Sequence, residues 1–137
     1  MVAGRSLAIA LVIFGLDAGA PGPVQAQTRV EGKSIRIEFN ASLHSRVIAR
    51  LGGTEIVIGP FAPSEFVMLD GANMKDFRLT GQKAEPLVDE FGRGRRFVIT
   101  GMAASLRKTV AVTVYDEFPR LAFFDVQYSN TGNSDLQ

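Results

Sequence analysis

Apolar and polar residues alternate along several short stretches of this chain. In Ser34–Phe39 (SIRIEF), the isoleucines and the phenylalanine fall on one side of an extended strand, while Arg36 and Glu38 fall on the other. A period of two is typical of a strand with one buried face. Outside the first 26 residues no stretch shows a convincing period of 3.6, so the pattern predicts strands rather than helices.

Turn-forming residues separate these stretches at fairly regular intervals. Gly52-Gly53 divides Leu43–Arg50 from TEIVIG, and Asp70–Asn73 (DGAN) follows EFVML. The short strand candidates DFRLT and PLVDEF come next, and GRG separates them from a further strand candidate, RRFVIT. Short strands with regular turn signals predict an all-β fold, an antiparallel β-sandwich.

The two longest stretches form a predicted hairpin around Phe118–Arg120. Pairing Glu117 with Leu121 across this three-residue loop gives the hairpin one entirely apolar face. That face consists of Val110, Val112 and Val114 on one strand and Phe124, Val126 and Tyr128 on the other. A shift by one residue would mix the two faces, so the pattern favours this pairing.

The chain also carries signals of a strand beyond this hairpin. Asn130–Ser134 has turn chemistry, and Leu136 would begin the next strand. A long apolar hairpin left at the edge of a sheet is an aggregation hazard in a finished protein. We therefore expect the sandwich to be incomplete and the chain to be the front portion of a larger protein.

The first 26 residues have the composition of an export signal. Arg5 precedes the apolar run Ser6–Leu16, and Val24–Ala26 fits a small-x-small cleavage pattern. This run is too short to cross a bilayer, which takes about 20 residues. The sequence therefore predicts a signal peptide at 1–26, one β-sandwich domain at 27–137, no membrane span, and a secreted or periplasmic location.

Composition narrows the chemistry that the chain can perform. A formal net charge of +1 argues against a nucleic-acid partner, and the absence of cysteine excludes zinc–thiolate sites. His44, the only histidine, is interpreted as a surface or rim residue rather than a metal ligand or a base. We therefore expect no cofactor and no metal site.

The sequence shows no recognisable catalytic set. The adjacent carboxylates Asp89-Glu90 and Asp116-Glu117 would point to opposite faces of a strand, so neither pair can converge on one glycosidic bond. Phe91–Phe97 (FGRGRRF) is interpreted as a hairpin turn, in which the glycines supply positive φ angles and the arginines keep the tip soluble, rather than as a site for an anionic ligand or a nucleic acid. Asn40 opens a glycosylation pattern, Asn-Ala-Ser. No catalytic or metal-ligating residue is assigned, and the sequence does not identify the residues that would bind a ligand.

The passage Thr109–Gln137 resembles the N-terminal β-sandwich of α-galactosidase-type glycoside hydrolases, the melibiase clan. In those domains one strand ends in an acidic-Phe-Pro turn and the next ends in Tyr-x-Asn-Thr-Gly. The matching residues are Tyr115, Asp116, Phe118, Pro119, Tyr128, Asn130, Thr131 and Gly132. The resemblance implies a supersandwich-like domain followed by a TIM barrel, whose two aspartates act as nucleophile and acid/base.

The resemblance implies that the chain is a non-catalytic N-terminal portion of a secreted α-galactosidase-like hydrolase acting on carbohydrate. Its partner would be the C-terminal catalytic barrel, and no catalytic residue carries over because this sequence contains no barrel. The alternative is a free-standing exported β-sandwich that binds a glycan or a partner protein. A small self-sufficient enzyme is the third reading, without a recognisable nucleophile, base or metal set to support it.

Overall fold

The computed structural model of the protein describes residues 27–133, and this part of the chain folds into strands without a helix. The strands are β1 (Thr28–Glu31), β2 (Ile35–Phe39), β3 (Ser45–Leu51), β4 (Thr54–Val57), β5 (Val67–Leu69), β6 (Ala72–Met74), β7 (Arg78–Asp89), β8 (Gly92–Ala103), β9 (Leu106–Tyr115) and β10 (Phe123–Asn130). The predicted all-β fold is confirmed. Accordingly, residues 27–133 include no helix with the length and apolarity to traverse a bilayer. The predicted signal peptide at 1–26 and the strand start at Leu136 lie outside the described residues.

Two four-stranded antiparallel sheets and one small hairpin make up the architecture. The first sheet has the order β1-β2-β3-β4, the second has the order β10-β9-β8-β7, and β5 pairs with β6. Side chains from both sheets and from two loops share one buried core. Its members are Val30, Ile37, Phe39, Leu43, Phe77, Ile99, Leu106, Val110, Val112 and Val114. A core between two antiparallel sheets is the arrangement of a β-sandwich, as predicted.

Two short hairpins turn where the sequence predicts them. Gly52 and Gly53, between β3 and β4, have φ angles of +57° and +83°. Asp70 and Gly71, between β5 and β6, have φ angles of +49° and +76°. Positive φ at both central residues matches the twist of the flanking strands, and glycine adopts it without a steric penalty.

One strand replaces the two that the sequence predicts between residues 76 and 91. The stretches DFRLT and PLVDEF both contribute to β7, which continues through Pro86. Proline lacks the N–H that a central strand needs, but β7 is the last strand of its sheet. Pro86 can therefore occupy the strand because its missing donor costs no ladder hydrogen bond on the open side.

The β9–β10 hairpin is shifted by two residues from the predicted register. Val112 lies opposite Phe124 and Val110 lies opposite Val126, so residues 116–122 form a longer loop than predicted. Within this loop the Leu121 N–H donates to the Phe118 carbonyl at 3.1 Å, which adds a turn that the pattern did not show. A two-residue shift leaves every side chain on its predicted face because the side-chain period of a strand is two.

Asn40 has a structural role that the glycosylation pattern does not reveal. Its side chain is buried, and Oδ1 accepts hydrogen bonds from the backbone N–H groups of Ser42 and His44, both at 3.0 Å. These bonds hold the turn between β2 and β3, as asparagine commonly does in loops. In this folded state the side chain of Asn40 is not presented to solvent.

Candidate functional site

The residues singled out in the sequence analysis have separate positions in the fold. His44 lies at the rim of the sandwich, as predicted, with Nε2 2.7 Å from Asp76 Oδ1. Asp89 accepts a hydrogen bond from the Phe91 N–H at 2.9 Å, which closes the β7–β8 turn. Among residues 27–133, no group of histidine and carboxylate side chains has the geometry to hold a metal ion.

Four aromatic rings cluster where the β7–β8 hairpin meets the loop after β9. We call this cluster the aromatic surface, and it consists of Phe91, Tyr115, Phe118 and Phe123. Phe91 and Phe123 stack with ring centroids 6.4 Å apart and planes 23° apart. Tyr115 contacts the other rings edge-on, with centroids 5.7 Å from Phe123 and 5.8 Å from Phe91. Phe91 and Phe123 are 51% and 46% exposed, so this surface is open to solvent.

Gly94 allows the Tyr115 ring to lie against strand β8. The two residues are direct cross-strand partners, and a Cβ on Gly94 would lie 2.5 Å from the Val114 carbonyl oxygen and 3.0 Å from Tyr115 Cδ1. An aromatic side chain that covers a glycine protects the strand backbone at this point. The predicted role of Gly94 as a turn residue is therefore wrong.

The turn itself consists of Glu90 and Phe91, and Gly92 follows it with a φ of +106°. The arginines of FGRGRRF belong to strand β8 rather than to the tip. Of Gly92 and Gly94, Gly92 alone has the positive φ angle predicted for both.

A hydrogen bond ties the aromatic surface to the edge strand β7. The Tyr115 hydroxyl donates to Asp89 Oδ2 at 2.7 Å, across strand β8. This bond raises the pKa of Tyr115 above its usual value because the phenol donates to a carboxylate, and desolvation acts in the same direction. Sequence reasoning missed the contact since the two residues lie on non-adjacent strands, although a glycine opposite a tyrosine could have suggested it.

The dependence of the unfolding free energy on alkaline pH should reveal the hydrogen bond between Tyr115 and Asp89. A Tyr115 pKa that is higher in the folded than in the unfolded state makes stability fall as pH rises above about 10, because the unfolded chain releases its proton first. We expect Tyr115→Phe to flatten the decline in unfolding free energy above about pH 10, measured by urea denaturation. Burial also raises the pKa of Tyr128, so part of the slope should remain. An unchanged slope would show that Tyr115 titrates normally.

Polar side chains flank the aromatic surface on the same face of the sheet. Asp125 lies two residues beyond Phe123 on β10, and its Oδ2 is 3.8 Å from Arg96 Nη2. Glu117 lies beside Gly92, with its Cγ 3.3 Å from the position that a Cβ would take there. Exposed ring faces bordered by carboxylate and guanidinium groups can bind a ligand that has one apolar face and several hydroxyl groups.

The passage Tyr115–Gly132 also anchors the end of the sandwich. The Pro119 carbonyl accepts a hydrogen bond from the Ser34 N–H at 3.0 Å, which links the loop to the first sheet. Thr131 donates to the Ser105 carbonyl through both its N–H and its hydroxyl. The Asn130 side chain accepts from the Gly132 N–H at 2.8 Å. These residues determine a turn and a strand end, and two of them, Tyr115 and Phe118, also supply rings.

No protein-family model and no curated protein matches this chain. The function is therefore inferred from the geometry of the aromatic surface, together with the resemblance in the hairpin passage.

Proposed function

We propose that this protein is a non-catalytic β-sandwich module that binds carbohydrate, as part of an α-galactosidase-like glycoside hydrolase. The observation that carries the proposal is the aromatic surface. One face of a pyranose ring such as galactose presents mainly C–H groups, which pack favourably on exposed aromatic rings. The carboxylates of Glu117 and Asp125 at its border would accept hydrogen bonds from the sugar hydroxyls.

The hydrolase part of the proposal is supported by the hairpin passage. Tyr115 and Phe118 match the melibiase-clan pattern and supply two of the four rings. The export signal predicted at 1–26 supports a secreted or periplasmic location for such a module. Its partner would be the catalytic barrel of that family, which would supply both catalytic aspartates while the sandwich holds the substrate near them.

Removing the stacked rings should weaken sugar binding. We expect the double variant Phe91→Ala, Phe123→Ala to bind an α-galactosyl oligosaccharide roughly 30-fold more weakly, because two ring contacts are each worth about 1 kcal/mol. Isothermal titration calorimetry of the purified protein measures the affinity. The double variant Ile58→Ala, Met68→Ala is the matched control, since both side chains are exposed apolar groups outside the aromatic surface.

Two results would overturn the proposal. Failure of the wild-type protein to bind any α-galactosyl oligosaccharide would remove carbohydrate binding at the aromatic surface. Steady hydrolysis of an aryl α-galactoside by the purified protein alone would contradict a non-catalytic module. An equal loss of affinity in the control variant would mean that the effect is not specific to the rings.

A second candidate is a free-standing exported β-sandwich that binds a partner protein. Leu121 and Phe124 are also exposed apolar side chains, outside the aromatic surface. In the described chain β10 is the last strand of its sheet. An edge strand with a single charge, Asp125, can accept a strand from another chain. The calorimetric experiment separates the candidates because only the first requires sugar binding by the wild-type protein.

A further inference from the structure

A pocket of about 510 Å³ lies beside the β5–β6 hairpin, and we call it the hairpin pocket. Its lining consists of four residues before β5 and two residues in or just after β6: Pro63, Ser64, Glu65, Phe66, Asn73 and Lys75. An aromatic ring, a carboxylate, an amide and an ammonium group therefore border one volume. That volume lies within the range of small-molecule sites.

The outward face of the hairpin presents three of these side chains to the pocket. Val67 and Met74 are cross-strand partners that pack against the core. Side chains alternate along a strand, so the neighbouring residues Phe66, Asn73 and Lys75 point away from the core. All three are exposed, Phe66 by 59%. The Phe66 ring is therefore free to stack on a ligand, with an amide and an ammonium group on the same face.

The charged groups at the hairpin pocket carry one net positive charge, from two ammonium groups and one carboxylate. Glu65 Oε1 is buried against the ammonium group of Lys108, an ion pair that fixes the carboxylate and compensates its charge. The Glu65 side chain is still 27% exposed, so its other oxygen can accept a hydrogen bond at the pocket. Lys75 forms no ion pair with any carboxylate among residues 27–133. A ligand with one negative charge would balance this pocket.

We propose that the hairpin pocket binds a small aromatic carboxylic acid that carries a hydroxyl group, para-hydroxybenzoate being the simplest example. The ligand ring would stack on Phe66, whose flat face a planar ring covers more completely than a puckered sugar ring does. The ionised carboxylate would pair with Lys75 and accept a hydrogen bond from the Asn73 amide. The ligand hydroxyl would donate to the fixed carboxylate of Glu65.

This site is separate from the aromatic surface and goes beyond the sugar binding proposed there. Lys108, behind the hairpin pocket, and Tyr115, in the aromatic surface, lie seven residues apart on β9, which corresponds to about 24 Å along a strand. The carboxylates of Glu117 and Asp125 border the aromatic surface, and they would repel an anionic ligand. An aromatic acid therefore selects the hairpin pocket.

Calorimetric titration of the purified protein with a series of ligands tests the proposal. We expect para-hydroxybenzoate to bind roughly tenfold or more tightly than para-hydroxybenzamide, which has nearly the same shape but no charge. Benzoate, which lacks the hydroxyl group, should bind about threefold to tenfold more weakly than para-hydroxybenzoate. Galacturonate carries a carboxylate and hydroxyl groups without an aromatic ring, so it should bind more weakly than all three.

Two variants with matched controls assign the binding to the hairpin pocket. Lys75→Gln should remove the preference for the acid over the amide, whereas Lys83→Gln, at an exposed lysine on β7, should keep it. Phe66→Ala should weaken para-hydroxybenzoate binding about fivefold to tenfold. Met68→Ala should leave it unchanged, because Met68 is an exposed residue of the same hairpin face but does not line the pocket. All four side chains are exposed, so the urea unfolding midpoints should stay near that of the wild type.

Three results would overturn the proposal: no binding of para-hydroxybenzoate by the wild-type protein, equal binding of the acid and the amide, or tighter binding of galacturonate. An unchanged preference for the acid in Lys75→Gln would also overturn it. The double variant Phe91→Ala, Phe123→Ala should bind para-hydroxybenzoate normally, and a loss there would assign the ligand to the aromatic surface instead. None of these measurements requires sugar binding, so they are read independently of the proposed function.

Discussion

Replacing Glu65 by glutamine is expected to lower the free energy of unfolding by roughly 3 kcal/mol, because it leaves a buried ammonium group without its counter-ion. Lys108 lies on the inner face of β9, is 0% exposed, and forms an ion pair with the Glu65 carboxylate. Its Nζ is 5.4 Å from the centroid of the Phe77 ring, so its other neighbours are largely apolar. Urea denaturation at neutral pH measures the loss.

Removing the lysine gives the informative comparison for this ion pair. Lys108→Met keeps most of the volume and removes the charge, and we expect it to be nearly neutral, because the Glu65 side chain is 27% exposed and water can solvate its carboxylate once the ammonium is gone. The double variant Glu65→Gln, Lys108→Met should recover most of the stability that Glu65→Gln loses. Glu90→Gln, at an exposed carboxylate, should stay within about 0.5 kcal/mol of the wild type. A loss below about 1 kcal/mol for Glu65→Gln would show that water solvates the Lys108 ammonium.

Gly94→Ala is expected to destabilise the protein by about 2–3 kcal/mol and to displace the Tyr115 ring. The added Cβ would lie 2.5 Å from the Val114 carbonyl oxygen, and a strand backbone cannot move away as a flexible side chain can. Urea denaturation measures the cost. Near-ultraviolet circular dichroism should show a changed tyrosine environment, and the alkaline decline in stability should flatten as in Tyr115→Phe.

Gly59→Ala is the matched control for Gly94→Ala. A Cβ on Gly59 would have no atom within 4 Å, and this glycine is not among those with a positive φ. We expect a change within about 0.5 kcal/mol or a slight gain, since alanine restricts the unfolded chain more than glycine does. Similar losses in the two variants would mean that the packing at Gly94 is not the cause.

Several features of the fold could be predicted because they depend on neighbouring residues only. The alternation in Ser34–Phe39 assigned Ile37 to the core and Arg36 to the outer face, and both positions are confirmed. The turns at Gly52-Gly53 and at Asp70-Gly71 were predictable because glycine and aspartate tolerate a positive φ angle, and this preference does not depend on the tertiary structure.

The register between β9 and β10 was not predictable from neighbouring residues. The apolar pattern of β9 and β10 is unchanged by a shift of two residues, so it selected the correct faces and the wrong partners. The choice between the two registers depends on the loop at 116–122 and on its hydrogen bond to Ser34, in the turn between β1 and β2. Likewise, Pro86 suggested a break in β7 because its edge position cannot be read from local sequence.

The sequence by itself therefore determined the all-β class, the faces of β2, β9 and β10, and the turns at Gly52-Gly53 and Asp70-Gly71, because alternation and backbone preference are local properties. Only the tertiary structure decided that Lys108 is buried with Glu65 and that Tyr115 reaches Asp89 over Gly94. Each of these depends on residues far apart in the chain, whose proximity follows from sheet order and register rather than from any pattern along the sequence.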